Sequence, residues 1–89
     1  MSEMGEPSRA ELADMALRLA DYALNRLAEA SMALHNLCYL LYEHRVRGTR
    51  VVDASWETSI SEWMSLMDFL SNRIKALKHL LEEIAEREG

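Results

Sequence analysis

Residues 56–84 read WETSISEWMSLMDFLSNRIKALKHLLEEI. Within them Trp56, Ile60, Trp63, Met67, Leu70, Ile74, Leu77, Leu81 and Ile84 follow one another at alternating steps of four and three, the spacing of one face of an α-helix. The segment is predicted to be a long helix whose apolar seam faces another helix. Projected at about 100° per residue, Leu66, Phe69, Ala76 and Leu80 fall on a second flank of the same helix.

The same spacing recurs upstream through Ala13, Leu17, Ala20, Leu24, Leu27, Ser31, Leu34, Cys38 and Leu41, with several small residues that let a neighbouring helix approach closely. Ser8 and Glu11 form a capping-box pair that can satisfy the first orphan amides of this helix. After Pro7, no Gly or Pro occurs until Gly48, which is placed to take a left-handed cap behind Arg45 and Arg47, cations suited to a helix C-terminus. Thr49, Arg50, Val51 and Val52 are poor helix formers after that glycine, and Asp53 then offers a new N-cap. The expected organisation is a flexible leader over 1–7 and a single domain over 8–89, with helix 1 at about 8–47, a turn at 48–53 and helix 2 at about 54–87. A link this short makes antiparallel neighbours, so the predicted fold is an all-α, long two-helix hairpin.

Composition narrows the function classes. Leu, Ala, Glu, Arg and Met dominate the 89 residues while Val, Thr, Gly and Pro are scarce, as in a helical protein. A net charge of −5 argues against a nucleic-acid module, which normally carries an excess of Lys and Arg. Cys38 is the only cysteine, so no intramolecular disulfide can form, and a reducing, cytoplasmic setting is expected. Residues 1–7 carry Glu3 and Glu6 without an apolar run, which does not read as a signal peptide. The apolar stretch Leu37 to Tyr42 is far too short to span a bilayer.

Each predicted helix carries more apolar surface than one neighbour can cover. In helix 1 the flank holds Leu12, Met15, Ala16, Leu19, Ala23, Ala30, Ala33 and Leu37. Fully burying one Leu or Phe is worth about 1.5–3 kcal/mol, so a bare hairpin forgoes much of its available stabilisation. Self-association of two hairpins into a four-helix bundle is the expected remedy. Leu24, Leu27, Leu34, Leu41, Trp63, Phe69, Leu70, Ile74, Leu77, Leu80 and Leu81 are the expected core and dimer interface. The turn carries Arg45, Arg47 and Arg50, whereas the open end joins Glu3, Glu6, Glu11 and Asp14 to Glu82, Glu83, Glu86 and Glu88. This polarity favours an antiparallel homodimer over one that stacks like on like.

The reading gives no catalytic, cofactor-binding or metal residues. His35 and Cys38 are spaced as half of a metal site without a second half, and no Glu-x-x-His motif of di-iron bundles occurs. Two other surfaces stand out. Met32 and Tyr39, with Leu40 at their border, are apolar residues on an otherwise polar face of helix 1, where a partner protein could dock. Arg45, Arg47 and Arg50, beside His44, could contact an anion. The sequence therefore points to a small non-enzymatic protein-interaction module, a regulator, adaptor or chaperone-like homodimer with an unidentified protein partner. The alternatives are a peripheral binder of anionic lipid or nucleic acid through the basic turn, and a secreted helical-hairpin structural subunit.

Overall fold

The computed structural model describes residues 6–88, so most of the expected leader, residues 1–5, lies outside the described residues. The chain is an antiparallel hairpin of two helices, α1 over Arg9–Val46 and α2 over Ser55–Glu88, with extents of 67 × 23 × 14 Å. It is one helix thick and two helices wide.

The ends of α1 follow from its capping residues. Ser8 Oγ accepts the Glu11 N–H at 3.1 Å, and Glu11 Oε1 accepts the Ser8 N–H at 2.8 Å, closing the capping box reciprocally. At the other end Gly48 adopts φ +101°, the Gly48 N–H donates to the Arg45 carbonyl, and the Thr49 N–H reaches back to the His44 carbonyl at 2.8 Å. This pair of bonds is a Schellman motif, and it ends the helix where a residue without a Cβ permits the left-handed turn. Backbone bonds from Trp56 to Asp53 and from Glu57 to Ala54 then close the first turn of α2.

The contact line of α1 runs along the predicted residues. Ala13 and Ala20 are buried, and Leu17, Leu24, Leu27, Ser31, Leu34, Cys38 and Leu41 are half-buried. The contact line of α2 differs from the predicted seam. Ile60 is 3% exposed, and Met67, Ile74 and Leu81 are half-buried as expected, but the alternate positions are Glu57, Met64, Ser71, Lys78 and Ala85. Trp56, Trp63, Leu70 and Leu77 stand outside it, each between 42% and 51% exposed. The helix is turned by roughly half of one residue's 100° step relative to the apolar pattern. The rotation lets Glu57 and Lys78 meet opposite charges on α1.

Candidate interaction surface

Those charges are placed by the contact line itself. Arg45 continues the α1 seam one heptad after Cys38, and its guanidinium grips Glu57 with both ends of the fork, Nε to Oε2 at 2.8 Å and Nη2 to Oε1 at 3.1 Å. The Glu57 side chain is only 13% exposed. The Arg45 guanidinium holds the Glu57 carboxyl below its ordinary range, and Glu57 in turn raises Arg45. At mid-helix Lys78 Nζ meets Asp21 Oδ1 at 2.6 Å, which raises the Lys78 ammonium. Position 45 is the next heptad place after Cys38 and was legible, whereas Lys78 stands one residue past the predicted seam position Leu77. The apolar spacing alone did not reveal them.

The basic turn therefore offers less free charge than its composition implies. Arg45 is committed to Glu57 and stacks over Tyr42, while Arg47 pairs with Glu43 at 2.8 Å. Arg50, exposed beside them, also helps to keep Glu57 ionised through its charge.

On either side of the contact line the hairpin has a polar and an apolar face. The polar face carries a shallow groove of about 680 Å³ between Ala28, Met32 and His35 of α1 and Asp68, Asn72 and Lys75 of α2. Met32 and Tyr39 belong to this side and are strongly exposed, at 68% and 64%. Glu43, one turn from Tyr39, raises its phenol above the ordinary value. Leu40, grouped with them by sequence, instead lines a separate cavity of about 250 Å³ at the turn with Leu41, His44, Thr49 and Val51. His35 faces the groove whereas Cys38 lies in the seam, its Sγ 3.8 Å from the Glu57 carbonyl, so the two do not form one site. Among the described residues no cluster of three or more metal-ligating side chains occurs.

The opposite face is largely apolar, with Arg26 and Arg73 on its two flanks. Counting in heptads from the contact lines, Ala16, Ala23, Ala30 and Leu37 of α1 lie one step to the side away from the groove. Trp56, Trp63, Leu70 and Leu77 of α2 lie one step to the same side, because the helices run antiparallel. Leu12, Leu19 and Leu40 extend the face beyond α1, and Leu66 and Leu80 extend it beyond α2. Apart from Ala16 and Ala23, which are half-buried, these residues are exposed. Of the expected core and interface residues, Leu24, Leu27, Leu34, Leu41, Ile74 and Leu81 lie between the helices, whereas Trp63, Leu70, Leu77 and Leu80 are on this outer face. Phe69 is exposed on the back of α2. Trp56 and Trp63 meet edge to face, their ring centroids 6.3 Å apart.

The fold and this face define a helical hairpin with an uncovered apolar side. The chain matches no family model, and no curated protein or solved structure is similar enough to count as a match.

Proposed function

We propose that this chain is a small non-enzymatic protein-interaction module, a regulator, adaptor or chaperone-like protein, that works as a homodimer through its apolar face. The observation that carries the reading is the contrast between what is covered and what is not. Among the described residues Ala13, Ala20 and Ile60 are the buried hydrophobic ones, while Trp56, Trp63, Leu66, Leu70, Leu77 and Leu80 on one helix alone remain exposed. An apolar surface of this extent marks an association site. In a four-helix bundle of two hairpins the apolar faces would turn inward and the polar faces outward. Met32 and Tyr39 would stay accessible to a second protein, and Leu40 would go with the dimer. A reducing, cytoplasmic setting suits the lone thiol in the seam, and no described helix is long and apolar enough to cross a membrane.

Size-exclusion chromatography with light scattering at micromolar concentrations tests the reading. It expects twice the chain mass and weak binding of dyes that report apolar surface. A stable monomer that leaves such dyes dark would overturn it. The anion-binding alternative loses ground because Arg45 and Arg47 already hold carboxylates.

A further inference from the structure

Resting on the interaction-module reading, we infer that the groove side of the hairpin holds a helix of another protein, apolar along the half toward the turn and basic along the half toward the open end. The observation is a second heptad line on α1. Ala28, Met32, His35, Tyr39, Tyr42 and Val46 recur at steps of four and three. Each follows a contact-line residue by one place, so this line runs beside the contact with α2 and about 100° around the helix from it. All six residues are exposed, Val46 at 62% and Tyr42 at 51%. Upstream the same line reads Asp14, Arg18, Asp21 and Asn25, so its apolar part begins at mid-helix and ends at the turn.

The other wall of the groove divides in the same way. Arg45 meets Glu57 and Asp21 meets Lys78, which fixes the level of one helix against the other. One place past the α2 contact line stand Thr58, Ser61 and Ser65 at the level of the tyrosines, and His79, Glu82 and Glu86 toward the open end. Two hollows follow this side, the groove of about 680 Å³ and a second of about 380 Å³ where Leu17 is rimmed by Glu82, Glu83 and Glu86. A notch between two helices is a seat for a third, and a seam at heptad spacing is matched by side chains repeating at the same spacing.

Charge narrows the chemistry of that third helix. Asp14 is answered by Arg18 at 3.0 Å and Asp21 by Lys78, and Asp68 and Lys75 balance at mid-height. Glu82 and Glu83 have only His79 near them, at 3.8 and 4.0 Å, and Arg87 borders Glu83 and Glu86. Three carboxylates against one guanidinium leave this end negative, in a chain whose net charge is −5, and Lys or Arg on the partner complements it. The turn half has no such excess, since Arg47 and Arg45 hold Glu43 and Glu57. There the exposed tyrosines offer the large, amphipathic contacts that anchor protein partners. The apolar face lies on the opposite side of the hairpin, so a second copy seated on it leaves this groove open.

A dye-labelled synthetic helix of about 25 residues tests the inference, because its rise of about 37 Å spans the groove from the level of Tyr39 to Glu86. It carries Leu at heptad positions in one half and Lys in the other. Fluorescence anisotropy with the full chain should show saturable binding that weakens about tenfold in Tyr39→Glu and in Val46→Glu, each first shown by circular dichroism to keep its helicity. Glu82→Lys combined with Glu86→Lys should weaken it similarly at low salt, and so should an analogue peptide with Glu in place of Lys. Glu62→Lys, on the back of α2 one heptad before Phe69, should leave binding unchanged. No binding to the wild-type chain, equal binding to both seam variants, or equal binding of the two peptides overturns the inference. Light scattering on the same samples reads the homodimer separately. A dimer that ignores the peptide overturns the groove assignment alone, and a monomer that binds it through Tyr39 overturns the homodimer alone.

Discussion

Glu57 is a carboxylate on a helix contact line, and its ionisation is tied to the fold. Because Arg45 holds its folded-state pKa below the ordinary glutamate value, its contribution is complete above that value and fades as pH falls through the lowered one. Thermal melts at fixed protein concentration should show stability declining from about pH 5 downward, with a shallower decline in Glu57→Gln. Lys78 has the opposite sign. Asp21 raises it, so its contribution holds below the ordinary lysine value and is lost only as pH climbs through the raised one. Gly48 acts through backbone alone. A Cβ there would meet nothing within 4 Å, yet φ is +101°, so Gly48→Ala should cost about 1 kcal/mol in urea denaturation. A substitution without effect would show that the turn relaxes freely.

At the scale of the helices, the informative contrast is between Ile60 and Leu80. Ile60 is 3% exposed in the seam of a single chain, so Ile60→Ala should remove about 3 kcal/mol at every protein concentration. Leu80 is 49% exposed on the outer face. The penalty of Leu80→Ala should therefore grow where the protein is associated and shrink on dilution, as paired denaturation curves at two concentrations would reveal. The hairpin was legible in the sequence because its signals are local: Ser8 with Glu11, the unbroken run to Gly48, and the heptads of α2. The rotation of α2 was not. Apolar spacing gives the width and period of a stripe, but Trp56, Trp63, Leu70 and Leu77 form one edge of a stripe too wide for one neighbour. Which edge faced α1 depended on Asp21 and Arg45 claiming Lys78 and Glu57. Met32 and Tyr39 share a side, but Leu40, next in sequence, lies about 100° around the helix.

For the whole molecule, a hairpin one helix thick buries few large side chains besides Ile60 and leaves the residues of its outer face uncovered. If the second copy supplies the cover, folding and assembly are coupled, and each tenfold rise in protein concentration should add about 1.4 kcal/mol to apparent stability. Differential scanning calorimetry over a hundredfold range would measure it, and an unmoving transition would contradict the coupling. The indole pair gives this behaviour an intrinsic gauge. The chain has just two tryptophans, Trp56 and Trp63, and both sit in one patch of the uncovered face, near the turn. Their fluorescence needs no label to report whether that patch is wet. Emission should shift to the red and become accessible to iodide on dilution, and return to the blue on concentration, so the chain's own colour records its company.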